Sequence, residues 1–171
     1  MQTHSKKVIG LILAYNHARF LKGLVQSIPQ GVFDEIIITN DETGDGMEAL
    51  ARGLGIHCIS HPRSGYGENL KHGFREALAR GATHVVEIHG DGQFDVGVSP
   101  VAVAKALEGY DLVSGNRFYN WRQPLRDKMP LVRYVANTCL SALARVVTGV
   151  KLGEFQIAAF LKEEDQQAAQ V

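Results

Sequence analysis

Apolar runs that alternate with amphipathic segments constrain this chain more than any other feature. KVIGLILAY (7–15) is apolar almost throughout, the mark of a strand buried on both faces. NHARFLKGLVQSI (16–28) places Phe20, Leu21, Leu24, Val25 and Ile28 at helical spacing and is closed by Pro29. The exchange then repeats. DEIIITN (34–40) and IHCIS (56–60) read as strands, with a helix between them capped by Thr43 or Asp45 and stopped at Gly55. A helix from about residue 67 to 80, halted at Gly81, precedes a fourth strand, THVVEIH (83–89). VSPVAVAKALEGY (98–110) predicts a helix and DLVSG (111–115) a fifth short strand. The alternation predicts an α/β fold, a mostly parallel sheet flanked by helices. The 171 residues suit a single domain, 1–171, with its core at about 7–160 and a polar tail, EEDQQAAQV, at 163–171.

In such sheets ligands bind beyond the carboxyl ends of the strands. Tyr15-Asn16, Asn40-Asp41 and the segment HGDGQFD (89–95) put polar groups at those ends. If strand geometry continued through HGDGQFD, His89, Asp91, Gln93 and Asp95 would share a face. Gly90 and Gly92 would let a ligand approach the backbone closely. Two readings stay open from the residues alone: a strand-ending turn, or a site for a metal ion and a phosphate.

Several function classes are disfavoured. Lys plus Arg and Asp plus Glu both number 18, so net charge draws the chain to neither nucleic acid nor membrane. No apolar run is long enough to span a bilayer, and no secretory leader is expected. Cys58 and Cys139 make neither a disulfide framework nor a metal-like pair, which suits a reducing cytoplasm. RSGYGENLKHGF resembles a phosphate loop, which makes Gly65 a substrate-binding candidate, but the acid that a dinucleotide fingerprint needs on the next strand is missing. No nucleoside triphosphatase loop occurs. His57, Cys58 and His61 are close in sequence, yet neighbours on a strand face opposite ways and do not easily share one zinc ion.

The second half changes character. NRFYNWRQPLRDKMPLVR (116–133) combines Arg117, Arg122, Arg126, Lys128 and Arg133 with Phe118, Tyr119 and Trp121. PLVRYVANTCLSALARVVTG predicts a helix from Pro130 to Gly149, with Arg133, Asn137, Ser141 and Arg145 as a narrow polar stripe. It reads equally as a core helix or as an interfacial patch on a membrane. KLGEFQIAAFL predicts one more strand.

The ordered set of segments resembles family-2 inverting glycosyltransferases of the type A fold. VIGLILAYN is similar to their opening strand, and ITNDETGDGM to their strand-end acidic segment. HPRSGYGENLKHGFREALARGATHVVEI, VSGNRF and MPLVRYVANTCLSALARVVTGVKL resemble the dolichyl-phosphate mannosyltransferase-like branch, which makes polyprenyl-phosphate sugars. HGDGQFD stands at its Asp-x-Asp position. The resemblance implies the nucleotide-diphospho-sugar transferase fold, with Ala14, Tyr15 and Asp41 cradling base and ribose. Asp91 and Gln93 would face a divalent metal, Mn2+ or Mg2+, with His89 as a third ligand in the place of the family's first acid. Arg117 would lie near the phosphates or the acceptor, and Glu154 is the nearest match to a late catalytic acid. His17 and Asn40 also replace family acids.

The implied reaction is inverting transfer of a sugar from a UDP- or GDP-linked donor to a polyprenyl phosphate, with Asp91, Arg117 and Glu154 as catalytic residues. Arg117, Arg122 and Arg126 would position and screen the anionic acceptor. The implied setting is the cytoplasm, at the cytoplasmic membrane face through peripheral contact. The alternative is a relative that binds nucleotide sugar or a partner chain and has lost turnover.

Overall fold

The computed structural model describes residues 6–41, 44–93, 95–115, 130–149 and 160–162. Thr43, Arg117, Arg122, Arg126 and Glu154 lie outside the described residues. The chain divides into two compact units, one of Met1–Val113 with Ala159–Val171 and one of Ser114–Ala158.

The first unit is built on a sheet of order β3-β2-β1-β4-β5. Its strands are β1 (Val8–Ala14), β2 (Glu35–Asp41), β3 (His57–His61), β4 (His84–His89) and β5 (Phe160–Lys162). The first four run parallel, and β5 pairs antiparallel with β4. Every residue of β1 is buried, as its unbroken apolar run requires at the centre of a sheet. Helices α1 (Ala18–Ser27), α2 (Met47–Gly53), α3 (Tyr66–Ala79) and α4 (Ser99–Leu107) fill the connections, close to their predicted spans. The Asp45 carboxylate accepts from Met47 N–H at 3.2 Å and from Ala18 N–H at 2.9 Å, so it ties the starts of α2 and α1 together.

Ile9, Leu11, Leu13, Ile37 and Val85 pack with Ala77 of α3 into one core. The helix lies very close to the sheet: a Cβ on Gly73 would come within 2.6 Å of Leu11 Cδ1. DLVSG does not form a strand. The place beside β4 is taken by β5, which overlaps the end of the predicted KLGEFQIAAFL segment, and Leu112 stays exposed.

The second unit contains α5 (Leu131–Thr148). Its apolar side chains are not a buried face: Val132 is 81% and Val146 82% exposed, and Leu131, Val135, Leu140, Leu143 and Val147 are exposed as well. Ser141, assigned to a polar stripe by spacing, is buried.

At the amino edge of the sheet, Glu35 receives Lys7 Nζ at 2.9 Å and Arg80 Nη1 at 2.6 Å, while Arg80 Nε also binds Glu76 at 2.7 Å. These bonds clamp β1, β2 and the end of α3. The Lys7 hydrogen bond, then Arg80, hold the Glu35 carboxyl below its ordinary value of 4.5 against the opposing cost of burial. A depressed folded value stabilises the protein above the unfolded value, and that contribution is lost as pH falls through the folded value. Glu35→Gln should cost about 1 kcal/mol at neutral pH, since the network is partly solvated. Denaturant titrations of both proteins should show the gap largest near neutrality and closing below pH 4.5; a gap independent of pH would deny the clamp its ionic character.

Candidate functional site

Parallel register brings four strand ends to one edge. Ala14 lies opposite Asn40, Leu13 opposite His89 and Asp41 opposite His61. The connection after β1 runs to β2 on one side, while β4 is added on the other, so the strand order reverses between β1 and β4. Crevices form at such switch points. Two adjoining cavities open there. One, of about 310 Å³, is lined by Ala14, Tyr15, Asp41, Gly65 and His89. The other, of about 360 Å³, holds Asp91 and Gln93. Tyr15 and His17 line both. Of the described candidates, Ala14, Tyr15, Asp41, Gly65, His89, Asp91 and Gln93 border this crevice, and Asp95 does not.

Asp41 is 3% exposed. Its Oδ1 accepts from Ser64 N–H at 2.6 Å and its Oδ2 from Gly65 N–H at 3.0 Å. Gly65 holds φ 89 and ψ 167, a region essentially reserved for glycine. The carboxylate thus organises the loop that opens α3, and its remaining lone pairs are what a ligand can use. Beneath it, Asn69 saturates its amide. Nδ2 donates to Ala14 O at 3.2 Å and Thr39 O at 3.4 Å, and Oδ1 accepts from Thr39 Oγ1 at 2.7 Å and contacts His61 Nε2 at 2.9 Å. These bonds fix the carbonyl end of β1. Asn16 follows at φ 57, which turns the chain sharply out of the sheet and leaves Tyr15 partly exposed beneath the Arg63 guanidinium, 4.8 Å from its ring centre.

HGDGQFD departs from the expected geometry. Strand β4 ends at His89, and Asp91 Oδ1 accepts Gln93 N–H at 3.0 Å in a side-chain turn. The alternation stops, so His89 and the Asp91–Gln93 pair border different cavities. Asp95 turns away and accepts Gly97 N–H at 2.8 Å. Gly90 is needed by the protein itself rather than by a ligand: its N–H binds Leu13 O at 2.8 Å, and a Cβ there would come within 2.6 Å of that oxygen.

The sequence reading passed over Arg63, Tyr66, Asn69 and Glu87. Glu87 is 3% exposed within β4 and accepts the Tyr66 hydroxyl. The only sequence signal was a charged residue inside an apolar strand.

Among the described residues no group of three or more His, Cys, Asp or Glu side chains converges on a point. Asp91 and Gln93 share one cavity while His89 lines the other, so the three expected ligands are not gathered into one donor set; the Asp91 carboxylate and the Gln93 amide suit a cation that takes most of its ligands from substrate phosphates and water. His17 lines both cavities, and its buried Nδ1 has no hydrogen-bond partner among the described residues.

A family model described as Glycosyl transferase family 2 matches residues 11–150. Glycosyltransferase AglJ of Haloferax volcanii is 25% identical over 108 residues, which are 63% of this chain and 35% of that protein. Solved structures of glucosyl-3-phosphoglycerate synthase from Mycobacterium tuberculosis share the fold. The complex with Mn2+, UDP and glucosyl-3-phosphoglycerate has a TM-score of 0.64 at 22% identity. The complex with Mn2+, UDP-glucose and glycerol 3-phosphate has 0.66 at 23%. Each alignment covers 94% of this chain and 58% of that one. The parallel sheet flanked by helices is the type A glycosyltransferase fold.

Asp41→Asn keeps the shape but exchanges a charged acceptor pair for one acceptor and one donor, and the donor would face a backbone N–H. Hydrogen bonds to charged groups contribute about 1.5–3 kcal/mol, so nucleotide-sugar affinity should fall about tenfold or more. Calorimetric titration of the folded variant checks this; unchanged affinity would limit Asp41 to a structural role.

Proposed function

The chain belongs to glycosyl transferase family 2, and from that premise we propose that it transfers a sugar from a UDP- or GDP-linked donor to a phosphate-bearing acceptor, a polyprenyl phosphate. The observation that carries the reading is the crevice at the β1–β4 switch point, where Tyr15, Asp41 and Arg63 border one cavity and Asp91 and Gln93 the next. The first suits a base and ribose, with the Tyr15 ring as a stacking surface. The second suits a diphosphate.

Inversion requires one displacement. An acceptor phosphate oxygen attacks the anomeric carbon, the bond to the diphosphate oxygen breaks, and the nucleoside diphosphate departs with the electron pair. The acceptor is already anionic, so no strong base is required. The barrier lies in charge gathering on the leaving group. Asp91, with His89 and Gln93, would hold the divalent cation, Mn2+ or Mg2+, which when bound neutralises that charge. Arg117, Arg122 and Arg126 are assigned to acceptor positioning and Glu154 to the late acidic role.

The relatives support this reading without deciding the acceptor. The M. tuberculosis enzyme was solved with UDP-glucose and phosphorylated three-carbon compounds. Since the chain spans 35% of AglJ and 58% of the synthase, the activity of the whole protein is part of the proposal. The exposed apolar residues of α5 favour a lipid acceptor. Among the described residues no helix is long and apolar enough to cross a membrane, so the proposed contact is peripheral, at the cytoplasmic face.

Nucleotide-sugar titration across manganese and magnesium tests the diphosphate assignment. Asp91→Asn should abolish metal-dependent binding and leave the fold intact. His89→Asp should improve magnesium relative to manganese by adding a charged oxygen ligand. Equal wild-type affinity in chelator, matched by Asp91→Asn, would reduce the segment to a turn.

Liposome flotation tests the membrane contact. Binding should require anionic lipid and weaken with salt. Absence of binding to anionic and neutral vesicles alike would remove the lipid acceptor's main support.

A further inference from the structure

Three residues within four positions go against local preference where the chain leaves β1. Asn16 takes φ 57, a left-handed conformation that few residues other than glycine adopt. His17 occupies the N-cap of α1, a place that favours Ser, Thr, Asp or Asn, and its side chain caps nothing. Arg19 puts a cation in the first turn, at the positive end of the helix dipole, and no acid shares that turn. The helix start is served from elsewhere, by Asp45 on Ala18 N–H at 2.9 Å. Departures of this kind, with no structural return, collect at functional sites. All three residues line the cavity that holds Asp91 and Gln93.

The side chains there are mostly donors. The buried His17 Nδ1 has no hydrogen-bond partner among the described residues, and a Cβ on Gly90 would come within 3.3 Å of it. A proton on that nitrogen would be a stranded donor, so the neutral ring carries its proton on Nε2. Phe20 stands beside the imidazole, with ring centres 6.2 Å apart, and the Arg19 guanidinium lies over the Phe20 ring at 4.6 Å. Phe20 lines the same cavity, so it is a platform that keeps the cation at the rim. Among the described residues Arg19 pairs with no carboxylate. Asp91, in the same cavity, gives its Oδ1 to Gln93 N–H instead.

We propose that Arg19 and His17 are substrate-binding residues that hold the diphosphate of the nucleotide donor, the guanidinium through two phosphate oxygens and His17 through its Nε2–H. The proposal rests on the assignment of the diphosphate to this cavity. A planar guanidinium fork matches a pair of phosphate oxygens and keeps its charge at any working pH. That charge stays beside the diphosphate as the sugar departs, so it also offsets the charge gathering on the leaving group. The diphosphate is then held from two sides, by the loop after β4 and by the turn after β1. The second hold needs no metal, and a nucleoside diphosphate keeps part of its affinity when metal is removed.

Calorimetric titration of the full chain with UDP, GDP, uridine and guanosine, in manganese and in chelator, tests this. In chelator one of the diphosphates should bind about tenfold or more tightly than its own nucleoside, and the advantage should shrink as salt rises. Arg19→Gln should remove the advantage and leave nucleoside affinity unchanged. Arg19→Lys, which keeps the charge and loses the fork, should fall between the two. His17→Phe should weaken the diphosphate without lowering the denaturation midpoint, because it deletes a buried atom that has no partner. Equal losses of diphosphate and nucleoside in Arg19→Gln would overturn the proposal. Diphosphate binding that requires manganese, or that is unaltered in Arg19→Gln and His17→Phe, would overturn it and leave the diphosphate assignment of Asp91 standing. Absence of binding by both nucleotides under every condition would remove the nucleotide reading, and this proposal with it.

Discussion

The crevice depends on one buried amide. Asn69, in the second turn of α3, donates to the last carbonyl of β1 and to Thr39 O, and accepts from Thr39 Oγ1. Side-chain amides have few ways to meet all their hydrogen-bonding capacity in a protein interior, so a satisfied one fixes its surroundings strongly. With Ala14 O held, the chain leaves β1 at a set point and Tyr15 is carried to the cavity wall. His61, which contacts the other side of the amide at 2.9 Å, also lies 3.7 Å from Asp41 and stacks on His72 at 4.3 Å. Thus the residues that border the cavity of Tyr15 and Asp41 are fastened to one another beneath it.

Polar chemistry at the carboxyl edge is possible because the sheet below it is so apolar. The inner strands have few polar side chains, and two of them, Thr39 and Glu87, are met by partners from α3 above. Backbone groups do part of the work. Ser64 and Gly65 present N–H groups to Asp41, and Gly90 presents its N–H to Leu13. Where the sheet could not provide a side chain, a turn provides one: Asp91 and Gln93 are held by their own hydrogen bond in a loop, outside the ladder.

Strands β1 to β4 and helices α1 to α4 were legible in the sequence because burial on both faces leaves long apolar runs, and one-sided burial leaves a helical period. Residues at the ends of those runs led to Tyr15, Asp41, His89 and Asp91, and the family resemblance added Ala14. What failed was whatever depended on neighbours distant in sequence. DLVSG has the composition of a strand, but its edge is occupied by Phe160–Lys162. HGDGQFD alternates on paper, yet the Asp91 turn breaks the alternation. Gly90 looked like room for a ligand and is room for Leu13 O. Asn69 and Glu87 could not be recognised, because one looks like an ordinary helix residue and the other like a strand-end charge until the partner across the sheet is known. Spacing cannot report exposure either: α5 has the pattern of a helix with one buried face, and its apolar side chains face solvent.

Helix α3 reaches both edges of the sheet. Its first two turns supply Tyr66 and Asn69, and its far end carries Arg80, which is held by Glu76 and grips Glu35 at the opposite edge. At 1.5 Å per residue its 14 residues span about 21 Å. Between these ends it rests on Leu11 with no slack at Gly73. Such a helix behaves as a rigid lever with its fulcrum in the core. One stiff rod thus joins the ion pairs of the amino edge to the Tyr66 and Asn69 wall of the cavity, so the two ends of the sheet cannot be built independently of each other.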